Sequence, residues 1–534
     1  MIKRLLTAAL LFCTLIGLSA CKEEGQTNTA QQNTGTVIRL LSGSENKSIE
    51  PILQEAARQA GATLQVTYKG SVDIMLELEK GKNSEFDAVM PADRMWITLG
   101  DKTRAVKNIA SIYRSPVVFG VKKSIAEKLG WTKGDVKVAD ILKVAQSGKL
   151  RFMMTSATQS NSGAAAYFGF LYAFAGNPDV LTEADLEKPQ VAAKVKSILG
   201  TVNRTTGSSG WLKDLFIDRY DYFDAMVNYE SLVIETNQAL QQQNREPLYA
   251  IYPVDGLAIA DAPLGYVSKG NAATEAAFLK MQEYLLSPAV QQQLLETGRR
   301  TGLGVTASGA NQTVFNPALG IDVNRVLSPI TMPAPEVIEK ALVLYQTAFR
   351  KPSLTVFVVD FSGSMKGRAE EDLKSAMRVM LDQDLAKRYM LQASPKDVVI
   401  VVPFDSRTRW IKKVEGNDSS KLLELWQSVN AEVADNGTDI YSPIIAALPE
   451  LKKYSLENYS ASVILMTDGR SDGSFDALKQ SFAAQVLTGM PVYSIMFGDA
   501  DPSQLKAIAA FTSGKVFDGK KDLISAFREA KGYN

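Results

Sequence analysis

Asp360, Ser362 and Ser364 stand at alternate positions directly after the apolar run 354–359. A buried strand that stops there sets one carboxylate and two hydroxyls at the rim of an open sheet. That rim, outside the carboxyl ends of parallel strands, is where such folds take ligands. Two later segments supply partners: Thr438, in a loop (Gly437-Thr438-Asp439) before an apolar helix, and Asp468, in Thr467-Asp468-Gly469 after the strand expected over 462–466. Two carboxylates and three hydroxyls suit a hard divalent cation that takes oxygen ligands and keeps some of its water. Mg²⁺ is favoured by abundance and by that water-retaining shell, and Mn²⁺ or Ca²⁺ would accept the same donors. Each motif alone also has an ordinary role, since Asp-Gly and Asn-Gly mark turns and a serine after a strand caps a helix. The specific signal is all three in order, each at the end of an element.

The elements that must position these groups alternate throughout 353–534. Strands are expected at 354–359, 398–403, 410–414, 462–466 and 492–497, and helices near 370–381, 422–433, 443–454, 475–486, 502–511 and 523–531. This alternation predicts a Rossmann-like α/β domain with a mostly parallel sheet. With its three motifs, the segment resembles a von Willebrand factor type A (VWA) domain with a complete metal-ion-dependent adhesion site. The resemblance implies that Asp360, Ser362, Ser364, Thr438 and Asp468 hold the metal, partly through water. It also implies that the metal accepts a Glu or Asp from a partner protein. A domain that keeps the fold without the metal is the alternative. In relatives that change shape, the last helix moves with the metal site. Here that helix falls at 523–531, so switching is expected to reach it sideways, from a partner or from the upstream domain.

Composition narrows the function. The 534 residues contain 59 Lys+Arg against 58 Asp+Glu, so no basic field for nucleic acid exists. There is no histidine, which removes His-based triads, His-type zinc sites and imidazole acid–base catalysis. No carboxylate pair stands out for Glu/Asp chemistry, and the expectation is a protein that is not an enzyme. The length exceeds one core.

Residues 1–20 have a basic start (Lys3, Arg4), an apolar run and a small-residue end, the pattern of a secretory signal peptide. Leu18-Ser19-Ala20-Cys21 resembles the lipobox of bacterial lipoproteins, which implies lipidation of Cys21; an ordinary signal peptide with an incidental cysteine is the alternative. Acyl chains contribute roughly 0.8 kcal/mol per buried methylene, enough together for a permanent membrane tether. Lys22 after the cysteine favours the outer membrane if the source has two, and the chain would face the periplasm or exterior. Residues 21–36, rich in Gln, Asn, Thr and Gly, read as a flexible stalk.

Residues 37–322 repeat a strand–turn–helix pattern, with strands at 37–41, 63–68, 86–90 and 115–121 and a long helix expected over 276–295. The order of Ser42-Gly43-Ser44-Glu45, Lys69-Gly70-Ser71, Ser160-Asn161-Ser162-Gly163, Asn228-Tyr229-Glu230 and Gly298-Arg299-Arg300 resembles a periplasmic, type 2 extracellular solute-binding protein. The resemblance implies two lobes with a ligand between them, held by backbone N–H groups at helix starts and by hydroxyls. Candidates are Ser44, Ser71, Ser162 and Gly163, with Asp93, Glu230 and Asp255 near the cleft. Ser and Gly before a helix are equally its ordinary caps. Glu45 would repel an oxyanion unless it points away, so a cationic, zwitterionic or neutral solute stays open.

Prolines at 329, 333 and 335 mark 323–352 as a linker ending in a helix expected to pack on a neighbouring domain. The whole reads as an α/β chain: a two-lobed binding-protein-like domain followed by a VWA domain. Its expected function is that of a membrane-anchored, non-catalytic envelope lipoprotein that grips an acidic group of a partner protein through its metal. The alternative is the substrate-binding component of a small-solute transport system, of the ABC type for example, with the VWA domain as docking accessory.

Overall fold

The computed structural model describes residues 35–302 and 309–532, apart from 486, 488 and 499. The signal segment, Cys21 and nearly all of the stalk lie outside the described residues. Thr36–Asn534 form one compact unit.

The first lobe is a five-stranded sheet ordered Ala62–Lys69, Thr36–Gly43, Ala88–Met90, Pro263–Val267, Val106–Ser111. The first three strands are parallel, in register from Thr36↔Ala62 to Gly43↔Lys69, so the turns after Gly43 and Lys69 open at one edge. Pro263–Val267 returns antiparallel after the chain has built the second lobe. The apolar side of the helix Glu50–Gln59 (Leu53, Ala56, Ala57) is buried with Ile38, Leu40 and Phe278.

The second lobe is ordered Ile259–Ala260, Ser115–Lys122, Ala225–Tyr229, Phe152–Thr155, Arg204–Thr206, with Leu248–Ile251 also paired to Ser115–Lys122. The strand expected at 115–121 lies inside this sheet. The helix Asn161–Ala175 is buried on nearly every side. Gly163 permits this, because a Cβ there would lie 2.1 Å from the Thr155 carbonyl oxygen. The helix expected over 276–295 is two helices, Ala272–Leu285 and Pro288–Glu296. Pro288 lacks the N–H needed to continue the first and instead starts the second.

The linker helix Pro335–Leu344 runs on into a wider turn, Tyr345–Phe349. Val337, Ile338, Ala341, Leu342, Tyr345 and Phe349 are buried in the second lobe's core, and Tyr167 donates to the Ala341 carbonyl at 2.8 Å. Its far end grips the next domain: Gln346 donates to the Gln392 carbonyl at 3.0 Å, and Arg350 pairs with Asp397 at 2.5 Å.

The C-terminal sheet is ordered Lys412–Glu415, Val398–Phe404, Ser353–Asp360, Ser460–Thr467, Val492–Met496, Val516–Asp518. All neighbours are parallel except the first pair. Two apolar layers cover its faces, one around Phe357, Met377 and Phe527, the other around Val358, Ile444 and Phe482. The edge strand Val516–Asp518 and the helix Gln383–Arg388 were not expected from sequence; both are short and carry no strong period. The last helix, Leu523–Gly532, packs Phe527 on Phe357, with centroids 6.1 Å apart.

Candidate functional site

Asp360 ends its strand beside Thr467, the last residue of the neighbouring strand, because Val359 is in register with Met466. Asp360 is fully buried, and its two oxygens accept from the Ser362 N–H at 2.7 Å and the Thr467 hydroxyl at 2.5 Å. Burial pushes its carboxyl up to about 6, against those hydrogen bonds and with a smaller upward push from Asp468. Ser362 and Ser364 hydroxyls stand 3.2 Å apart, and Ser364 donates to Asp468 Oδ1 at 2.7 Å. Thr438 lies beside Gly469. A Cβ on Gly469, the residue after Asp468, would lie 2.8 Å from the Thr438 hydroxyl.

The five residues expected at the metal site thus converge at one sheet edge. Among the described residues no three His, Cys, Asp or Glu side chains gather into a metal-holding group. The donor set here is two carboxylates and three hydroxyls, which fits a hard cation that retains water. Bound there, such an ion would supply a positive centre toward an external oxygen ligand.

Several supporting residues were not anticipated. Asn436, at φ 65°, accepts from the Gly363 N–H at 2.8 Å and donates to Asp405 Oδ2 at 3.0 Å, tying the serine loop to the threonine loop. Arg409 joins Asp405 (3.1 Å), Glu432 (2.7 Å) and the Phe361 carbonyl (2.9 Å). Asn436-Gly437, a dipeptide that favours left-handed backbone, was the available signal. Asp439 caps the helix Tyr441–Leu451 through the Tyr441 N–H at 2.9 Å.

The lobe candidates scatter. Ser44 lines a cavity of about 260 Å³ between the lobes, and its Oγ accepts from the Gly210 N–H at 3.2 Å. Ser71 is buried at the first position of its helix. Ser162 is fully buried, bonded to Thr155 and Ser209 at 2.9 Å each, and Gly163 packs on the strand Phe152–Thr155. Glu230 is also fully buried and is a structural anchor: Arg300 donates to both its oxygens (2.8 and 2.7 Å), and Tyr252 donates to one of them. Asp93 accepts from the Met95 N–H at 2.9 Å, its carboxyl pushed up to about 7 by burial and by Asp261. Asp255 accepts from the Val138 N–H at 2.9 Å. Of these seven, only Ser44 lines the cavity. The others found there, including Glu45, Tyr68, Trp211 and Glu235, are joined by Lys515 and Glu529 of the C-terminal domain.

Fold and site together define a two-lobed binding-protein-like module joined to a Rossmann-like domain with an oxygen-rich rim. Residues 38–300 match the family of bacterial extracellular solute-binding proteins, and residues 355–516 match the von Willebrand factor type A domain. The chain therefore has a two-lobed, solute-binding-protein-like domain followed by a VWA domain. Similar solved structures include a periplasmic thiamin binding protein, 13% identical, covering 58% of this chain and 93% of that one with a TM-score of 0.43. The sulfate-binding protein SubI of Mycobacterium tuberculosis H37Rv is 16% identical, with 56% and 94% covered and a TM-score of 0.38. A von Willebrand factor type A protein from Catenulispora acidiphila is 18% identical, with 35% and 43% covered and a TM-score of 0.29. Compared with curated proteins, the chain has no significant match. Among the described residues no helix is long and apolar enough to cross a membrane.

Proposed function

We propose that this is a non-catalytic envelope lipoprotein, exported and anchored through Cys21, that holds a divalent metal in its VWA domain and through it an acidic group of a partner protein. The observation that carries this reading is the run of contacts Ser362–Ser364–Asp468, at 3.2 and 2.7 Å, beside Asp360 and near Thr438. Two protein carboxylates leave a divalent ion electron-poor toward a third carboxylate from outside. Mg²⁺ is the metal the hydroxyl-rich set favours, with Mn²⁺ or Ca²⁺ as substitutes. Leu18-Ser19-Ala20-Cys21 supports the anchor, and Lys22 supports the outer membrane in a two-membrane cell.

The test is capture from the organism's envelope extract, using the compact unit from Thr36 onward and its Asp360→Ala variant, each with Mg²⁺ and with chelator. A protein retained only by the unmutated bait with metal supports the reading. Four identical captures defeat it. The cavity between the lobes favours a second reading, a solute-binding component of a transport system. A small molecule that stabilises the chain without metal and without a captured protein would favour that alternative.

A further inference from the structure

The cavity between the lobes has an unmet charge. Glu45 is 5% exposed, and its Oε1 has no hydrogen-bond partner among the described residues. The carboxylate lies folded over Gly43, where a Cβ would come within 2.0 Å of that oxygen, so the glycine makes its position available. The nearby guanidinium of Arg299 is directed elsewhere, to the Glu45 main-chain carbonyl (2.6 Å), Ser48 (2.9 Å) and Glu235 (3.2 Å). The other acidic groups in the wall have basic partners. Glu235 also takes Lys213 at 3.0 Å, Asp214 faces Lys213 at 3.8 Å, Glu529 takes Lys69 at 2.6 Å, and Asp73 pairs with Arg528. Glu45 is therefore the wall carboxylate with no direct ion pair among the described residues, its charge countered only by the nearby Arg299.

An oxyanion is disfavoured on the same geometry. It would share the cavity with a buried carboxylate, where low dielectric makes like charges costly. Two hydroxyls of the wall are also committed to carboxylates, Ser48 to Glu235 at 2.6 Å and Tyr68 to Glu50 at 2.9 Å. The Tyr68 ring in the wall is compatible with a cation instead. The cavity volume is about 260 Å³, room for a small organic molecule.

The outer wall belongs to the other domain. Lys69 bonds Glu529 and Ser525 (2.6 and 2.8 Å), Arg528 pairs with Asp73, and Lys515 stands 5.7 Å above the Trp211 ring. Trp211 in turn packs edge-on against Tyr493, with centroids 6.4 Å apart. Both faces of the final VWA helix are thus engaged, one on its own sheet and one on the mouth of the cleft.

We infer that this cavity is a composite site for a small organic cation, an amine or ammonium whose head pairs with Glu45, closed on its outer side by Lys515 and Glu529 of the VWA domain. This rests on the reading of the N-terminal domain as a ligand carrier and names the ligand's class. Burial pushes the Glu45 carboxyl up to about 7, opposed by a backbone hydrogen bond and by Arg299. The phenols that face it, Tyr68, Tyr113 and Tyr229, are themselves raised by burial and stay neutral. The charged groups around it are Arg299 and, in the cavity wall, Lys47, Lys69, Lys213, Asp73, Asp214 and Glu235, with Lys515 and Glu529 on the outer side. A bound cation holds Glu45 ionised, so binding releases protons near pH 7 and weakens as pH falls from 8 to 6.

The experiment is calorimetric titration of the full chain with putrescine, agmatine, choline and glycine betaine, against sulfate, phosphate and acetate. At least one amine or ammonium probe is expected to bind. Its affinity should fall at least about tenfold in Glu45→Gln, the loss of one charge-assisted hydrogen bond, with the pH dependence abolished. Glu529→Ala leaves Lys69 without its counter-ion at the mouth and should weaken the same cation several-fold. Circular dichroism confirms that both variants fold. Equal cation affinity in Glu45→Gln overturns the inference, as does preferential binding of an anion, and either leaves the N-terminal domain a ligand carrier. Unchanged binding in Glu529→Ala overturns the composite wall. If no probe of any class binds, both this inference and the ligand-carrier reading fall, while metal-dependent capture is unaffected.

Discussion

The Thr467 hydroxyl donates a 2.5 Å hydrogen bond to Asp360 Oδ2 across the seam between the two central parallel strands of the C-terminal sheet. That bond orients a buried carboxylate whose other oxygen is held by the Ser362 N–H. Partners of this kind typically change metal affinity by about 10–100-fold when removed. Thr467→Val keeps the side chain's shape and should weaken Mg²⁺ or Mn²⁺ binding by that factor in a calorimetric titration. An unchanged affinity would show that Asp360 needs no such orientation.

Metal binding should also appear as stability. A ligand that binds only the folded chain stabilises it by about 2.7 kcal/mol at a hundredfold excess over Kd. Mg²⁺ should therefore raise the Tm of the unmutated chain, and Asp360→Ala or Ser364→Ala should lose that rise. Ser364 is the sharper probe, because its hydroxyl links Ser362 to Asp468 and lies at the surface end of these contacts. A Tm insensitive to Mg²⁺ in the parent chain would remove the metal site.

The oxygen-rich rim was legible in the sequence because each of its motifs is local and ends an element. Asp360 and Asp468 follow apolar runs that could only be strands, and parallel neighbours bring their ends together. The cleft was not legible in the same way. Glu230 reads like a ligand beside Tyr229, but its partner Arg300 is seventy positions away and no local pattern announces the pair. Gly163 reads like a ligand-binding glycine at a helix start, but it is small so that a helix can approach Thr155. The contacts of Glu529 and Arg528 with Lys69 and Asp73 join residues from opposite ends of the chain. Helix and strand periodicity carries no information about such docking.

Glu230 yields a prediction of its own. Removing one member of a buried ion pair strands the other charge, at a cost of about 3–5 kcal/mol. Glu230→Gln should therefore lower stability by that amount in urea unfolding, since the Arg300 side chain is also fully buried. Glu230→Gln combined with Arg300→Met should recover part of the loss. A single variant as stable as the parent would mean that water reaches the pair.

Lys531 makes the stability of the C-terminal helix depend on alkaline pH. Its ammonium is buried and donates to the Leu391 carbonyl at 2.7 Å, one residue before Gly532 meets Gln159. Burial pulls its pKa down from 10.5 to about 8, with Asp397 opposing. Between these values the unfolded chain binds a proton that the folded chain does not, so stability rises with pH across that window. Below about pH 8 both states are protonated, and the folded state carries the full cost of about 3 kcal/mol, at 1.36 kcal/mol per pKa unit. Lys531→Met removes this titration. The stability difference between parent and variant should change by about that amount between pH 8 and 10.5 and stay level from pH 6 to 8. Parallel curves across the whole range would show that Lys531 keeps its proton by reaching water.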